Sequence, residues 1–169
     1  MTDKFTPEQR HRCMSAIHSR NTKPEIIVRK YLFARGFRYR VNVRSLPGTP
    51  DIVLKKYRCV IFVNGCFWHG HENCTLYSLP KTNSDFWRKK VARNRERDSV
   101  TAARLRGMGW NVVQLWECQL RPKEREKTLT ELVATLDYLL KGKPRKKKTY
   151  DCDTENFSYA AEPYAEYGE

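Results

Sequence analysis

The sequence contains no apolar run approaching the roughly 20 residues that a membrane-crossing helix needs, so no membrane partner is expected. Its amino terminus, Met1-Thr2-Asp3-Lys4, lacks the apolar core of a secretory signal, which points to the cytoplasm. Internal repeats are also missing, and 169 residues suit one domain with a substantial core. Negative charge is scarce. Nineteen acids face 33 bases, and six of the acids lie in residues 150–169, which hold no Lys or Arg. Residues 1–149 therefore carry a net charge of +20, a balance that favours phosphate polymers as partners. In a reducing compartment the six cysteines read as thiols or metal ligands rather than disulfides.

Chemistry concentrates between Pro47 and Cys74. Asp51 opens the apolar run Ile52-Val53-Leu54; Lys55-Lys56-Tyr57-Arg58 interrupts it, and Cys59-Val60-Ile61-Phe62-Val63 resumes it as a buried strand. A β-hairpin is expected. Beyond Asn64-Gly65, the loop carries Phe67-Trp68 and His69, residues that an idle exposed turn seldom holds.

Upstream, Thr6-Pro7-Glu8-Gln9 is a capping box that starts a basic helix running to about Ser19. Thr22-Lys23-Pro24-Glu25 repeats the device for a second helix ended by Gly36, so Glu25 has an ordinary capping role available. Residues 37–41 alternate apolar with basic and read as a strand. Downstream, Ser84 or Asn83 is placed to cap a long helix from Asp85 to about Arg106. Its inward stripe runs Trp87, Val91, Asn94, Asp98, Ala102, Leu105, and Asp98 is the misfit, needing a cation, a histidine or a basic neighbour. Trp110 to Trp116 forms another strand, and a last helix from Glu124 to Leu140 packs through Leu129, Leu132, Val133, Leu136 and Leu139. The order helix, helix, three strands, helix, strand, helix predicts an α/β domain over residues 1–141 with a mixed sheet flanked by helices. Residues 142–169, first basic and then acidic, read as a disordered tail whose acids are suited to folding back onto a basic cleft.

Cys66, His71 and Cys74, joined by Cys118 from beyond the fourth strand, match a tetrahedral zinc site; ordinary buried thiols or a redox role are the alternatives. Cys59 lies inside a strand and His69 is only two residues from His71, so both fit less well. Asp51 after Pro50 stands where Pro-Asp nucleases place a Mg²⁺ ligand, although a turn-capping aspartate is the plainer reading. The usual acid-x-Lys partner is replaced by Phe62-Val63-Asn64; His69 is a candidate to replace the lysine as the base that activates water, with an ordinary structural histidine as the equal alternative. Phe67-Trp68 is either core or a wedge for a base stack.

Several separated motifs resemble the very-short-patch-repair (Vsr) DNA mismatch endonucleases: Met14-Ser15-Ala16-Ile17, Arg20-Asn21-Thr22-x-x-Glu25, Leu46-Pro47-Gly48-x-Pro50-Asp51, Gly65-Cys66-Phe67-Trp68-His69, Asn94-x-Glu96-Arg97-Asp98 and Trp116-Glu117-Cys118. The resemblance spans about residues 8–140. It implies a PD-(D/E)xK-type, restriction-endonuclease-like fold with structural Zn²⁺, and Mg²⁺-dependent nicking 5′ of the thymine in T:G mismatches left by 5-methylcytosine deamination. By the same resemblance Asp51 binds Mg²⁺, His69 is the base, Asp98 supports His69, and Glu25 belongs to the active site. Met14, Phe67 and Trp68 form the wedge, with Trp87 close to DNA. A nucleoid-associated monomer acting on double-stranded DNA, with mismatch-repair proteins as further partners, is the corresponding expectation. Three features depart from the family. Asn64 stands where an acid or histidine is common, Val63 has only its backbone carbonyl to offer a metal, and the Cys66–Cys74 loop is one residue longer, leaving His71 and His69 as competing zinc ligands. A non-catalytic mismatch- or duplex-binding module and a restriction-type nuclease on paired DNA are the competing functions.

Overall fold

The computed structural model describes residues 6–16 and 20–141. The tail expected over residues 142–169 lies outside the described residues. Helices α1 (Pro7–Ser15) and α2 (Lys23–Ala34) precede strands β1 (Arg40–Val41), β2 (Ile52–Leu54) and β3 (Cys59–Asn64). Helix α3 (Ser84–Gly107), strand β4 (Asn111–Trp116) and helix α4 (Arg125–Lys141) complete the order.

The sheet is mixed, in the order β1-β2-β3-β4. Strands β2 and β3 are the expected hairpin, antiparallel with Ile52 opposite Ile61 and Leu54 opposite Cys59. A single 3-10 turn over Lys55–Tyr57 and a left-handed Arg58 (φ 48°) reverse the chain between them. Strand β4 runs parallel to β3 from Cys59↔Asn111 to Asn64↔Trp116, so α3 serves as the crossover that a parallel pair requires.

Because strand side chains alternate, Ile52, Leu54, Cys59 and Ile61 face one side, where Val28 and Leu32 of α2 and Leu129, Leu132 and Leu136 of α4 cover them. Val53 and Val60 face the other, against Leu105 of α3 and Trp110. Coverage on both faces explains why the two central strands read as unbroken apolar runs. Ile61 is fully buried, and Ile61→Ala should lower the unfolding free energy by about 2–5 kcal/mol. A urea titration with a lower midpoint and unchanged slope would register it.

Three local expectations are corrected. Helix α1 stops at Ser15 rather than near Ser19; every side chain described on it is exposed, so no packing extends it. The strand expected over 37–41 pairs only at Arg40 and Val41. Phe37 instead turns into the core against Tyr57, and the Tyr39 hydroxyl donates to the Arg29 carbonyl at 2.9 Å; packing, not a ladder, produces that alternation. At the start of α3 neither Ser84 nor Asn83 caps by side chain, because Asn83 occupies the N-cap in a left-handed conformation (φ 55°).

Candidate active site and Cys/His cluster

Asp51 sits one residue before β2, and its Oδ2 accepts the Val63 main-chain N–H of β3 at 2.8 Å. The side chain thus continues the hairpin ladder where the main chain of β2 has not yet joined it. N–H and C=O of one strand residue share an edge, so the Val63 carbonyl points toward the same side as the carboxylate. Both residues line a cavity of about 680 Å³. Burial raises the Asp51 carboxyl to about 6, opposed by the Val63 hydrogen bond. The nearby Glu25 carboxylate pushes further up, while Arg29 and His69 pull down.

Glu25 performs the capping role and also faces this cavity. Only 3% exposed, it accepts the main-chain N–H groups of Asn21 (3.1 Å) and Thr22 (3.3 Å) and the Thr22 hydroxyl (2.8 Å). Arg29, one turn along α2, pairs with it at 2.7 Å. Capping therefore leaves the Glu25 carboxylate in the cavity wall.

His69 and Asp98 also line the cavity, and His69 Nδ1 is hydrogen-bonded to Asp98 Oδ2. The stripe on α3 explains this partner. Val91, Asn94 and Leu105 are buried, and Asp98 lies between them facing the loop after β3. Asn94 fixes that loop by donating from Nδ2 to the Trp68 carbonyl at 2.8 Å, and the His69 N–H donates to the Gly65 carbonyl at 3.2 Å. Arg97 approaches the other oxygen of Asp98 at 3.7 Å. Arg20, Lys90 and Arg97 add positive charge to the same cavity wall.

The soft ligands assemble separately. Ligand atoms of Cys66, His71, Cys74 and Cys118 all lie within 4.8 Å of one another. His71 Nδ1 is 3.6 Å from the Cys66 sulfur and 3.3 Å from the Cys118 sulfur. A tetrahedron with Zn–S of about 2.3 Å and Zn–N of about 2.0 Å has edges of about 3.5 Å, so the donor set and spacing fit zinc. The parallel register brings Cys118 there: Asn64 is level with Trp116, which puts Cys66 and Cys118 each two residues beyond the last pair. Burial pushes the Cys66 thiol up to about 12, and desolvation also raises Cys118. For Cys74 desolvation is outweighed by the Leu76 N–H and the neighbouring sulfurs, and its thiol sits below the usual range. Of the two competing histidines, His71 joins the cysteines and His69 faces Asp98.

Phe67, Trp68 and Trp87 form an aromatic triangle with centroids 5.2–5.9 Å apart in edge-to-face contact. Phe86 extends it and is exposed, as is Met14 on α1 at 43%. Two residues escaped the sequence reading. Trp116 stacks on His71 with centroids 4.1 Å apart and planes 5° from parallel, a contact visible only once β3 and β4 are in register. Arg29 was not singled out on its helix; its signal was the spacing of four from Glu25. Asn64 is buried, lines the cavity and keeps its Nδ2 without a hydrogen-bond partner among the described residues.

A family profile described as DNA mismatch endonuclease Vsr matches residues 2–75. The chain is 50% identical over 123 residues to the type II nicking enzyme V.NmeAIP of Neisseria meningitidis, covering 73% of this chain and 87% of that protein. It is 47% identical over 120 residues to the type II nicking enzyme V.XorIIP of Xanthomonas oryzae pv. oryzae, covering 71% and 88%. With the DNA mismatch endonuclease Vsr of Escherichia coli it shares 43% identity over 133 residues, covering 78% and 85%. At such identity and coverage the chain belongs to the Vsr family of DNA endonucleases, and DNA is its partner.

Proposed function

We propose that this endonuclease nicks one strand of duplex DNA on the 5′ side of the thymine in a T:G mismatch, on a PD-(D/E)xK-type core. The observation that carries the mechanism is the convergence of Asp51, Val63, His69 and Asp98 on one basic-rimmed cavity. The Asp51 carboxylate and the Val63 carbonyl are hard oxygen donors, a set that suits Mg²⁺ completed by water and phosphate oxygens. Mg²⁺ bound there would neutralise the charge that builds on the scissile phosphate. Asp98 accepts the Nδ1 proton of His69, which leaves Nε2 with the lone pair that takes a proton from the attacking water. Glu25, paired with Arg29, braces the cavity wall behind Asp51. Zn²⁺ held by Cys66, His71, Cys74 and Cys118 would clamp the loop that carries His69 and the aromatics.

Mismatch recognition falls to Phe67, Trp68 and Trp87, with Met14, as apolar surfaces for insertion beside a poorly stacked pair. A T:G pair costs less to unstack than a matched one, which gives the wedge its selectivity. The name of the Escherichia coli relative, a DNA mismatch endonuclease, supports this choice of substrate. Single-turnover assays with Mg²⁺ should show cutting 5′ of the mismatched thymine, weak cutting of the fully paired duplex, and a loss of about 10²–10⁴-fold for His69→Ala. Equal cleavage of paired DNA would replace this reading with a restriction-type nuclease, and binding without cleavage would favour a recognition module. Wild-type rates for His69→Ala would remove the histidine from the mechanism.

A further inference from the structure

Arg29 has a side chain only 11% exposed, on the inward face of α2. Its guanidinium is gripped on several sides. Nη1 donates to the Asn21 side-chain oxygen at 2.6 Å. Nη2 donates to Glu25 Oε2 at 2.7 Å and to the main-chain carbonyl of Asp51 at 3.3 Å. An arginine that only paired with Glu25 across one helical turn would sit at the surface and reach no other element. Here the fork spans from α2 to the residue before β2. Burying such a pair is costly, and here the two terminal nitrogens are paired while Nε has no hydrogen-bond partner among the described residues. Asp51 needs this support because β2 begins at Ile52, so its carbonyl precedes the β1–β2 pairing of Val41 with Ile52. Its side chain is held by β3 and its main chain by α2.

We infer that Arg29 is a positioning residue for the metal-binding acid: anchored by Glu25 and Asn21, it fixes the Asp51 main chain so that the carboxylate stays turned into the cavity. The inference rests on Asp51 being the Mg²⁺ ligand. Asn21 belongs to the device as well. Its left-handed conformation (φ 56°) brings its N–H onto Glu25 while its side-chain oxygen meets Arg29. Residues 21, 25 and 29 thus form a closed triangle behind Asp51. Outer groups of this kind typically change metal affinity by about 10–100-fold when removed.

Arg29→Gln, Arg29→Lys and Asn21→Ala test this, with Asp51→Asn as reference. Ca²⁺ binding to each enzyme–T:G duplex complex is measured by calorimetry, together with the Mg²⁺ dependence of nicking, DNA affinity in chelator and cooperative melting. Arg29→Gln should weaken Ca²⁺ binding and raise half-saturating Mg²⁺ by about tenfold or more, with DNA affinity in chelator within about twofold of wild type. Arg29→Lys, which restores charge but not the fork, should recover part of the loss. Asn21→Ala should show a smaller shift in the same direction. A folded Arg29→Gln with wild-type Ca²⁺ affinity and Mg²⁺ dependence overturns the inference. If Arg29→Gln fails to melt cooperatively, Asn21→Ala decides, and wild-type metal dependence there overturns it equally. Undiminished Ca²⁺ binding by Asp51→Asn would instead remove the metal reading of Asp51, and the role of Arg29 with it.

Discussion

Replacing Asp51 by asparagine should lower the nicking rate by at least about 10³-fold, the equivalent of roughly 4 kcal/mol of transition-state stabilisation. The amide keeps an oxygen for the Val63 N–H and nearly the same volume, so the fold should survive while the charge is lost. The protonation of Asp51 gives a second signature. Its folded value of about 6 lies above the ordinary 3.8. Between those values the folded protein holds a proton that the unfolded chain has released, so this group's contribution to stability falls as pH rises through the window. Nicking should rise across the same range as the carboxylate frees. Because metal and proton compete for one carboxylate, higher Mg²⁺ should move that acid limb to lower pH. A limb that ignores Mg²⁺ concentration would assign the titration to another group.

Loss of the Zn²⁺ proposed for the Cys/His cluster should have the largest effect on stability. Stripping by a strong chelator, or Cys118→Ser, is expected to lower the melting temperature by on the order of 10–20 °C. Metal analysis should return one zinc per chain, and DNA nicking should fall with the order of the His69 loop. With the Cys66 thiol held near 12 and Cys118 also raised, zinc uptake must expel protons. Affinity should therefore climb with pH, and calorimetry in buffers of different ionisation heat should register the release. Melting that is indifferent to chelator, with thiols open to alkylation at the rate of a free cysteine, would leave the cluster as ordinary buried sulfur.

Elements with a strong period were legible in the sequence. The β2–β3 hairpin emerged as two β-branched runs, and the α3 stripe emerged with its members in the correct order, including the Asp98 that meets His69. Residues 37–41 misled because Phe37 and Tyr39 serve packing and a hydrogen bond that a strand pattern imitates. The metal-type cluster was legible for its local ligands, Cys66, His71 and Cys74, through spacing alone. Cys118 depended on the parallel register of β3 and β4, which no local window contains. Arg29 was missed for the same reason: its acceptor on Asp51 is 22 positions away, and periodicity assigns an arginine to the surface by default.

The register of β3 against β4 has a topological consequence. An ion held by Cys66 and Cys118, as proposed for Zn²⁺, would close residues 66–118 into a ring that contains all of α3 and both members of the His69–Asp98 pair. A tie across a ring of this length removes about 4 kcal/mol worth of freedom from the unfolded chain in the loop-closure description. The pair would then be confined even when the helix frays. With that ion bound, local opening of α3 would proceed inside a tether, and the histidine and its carboxylate partner could not separate beyond the circumference that the tether allows.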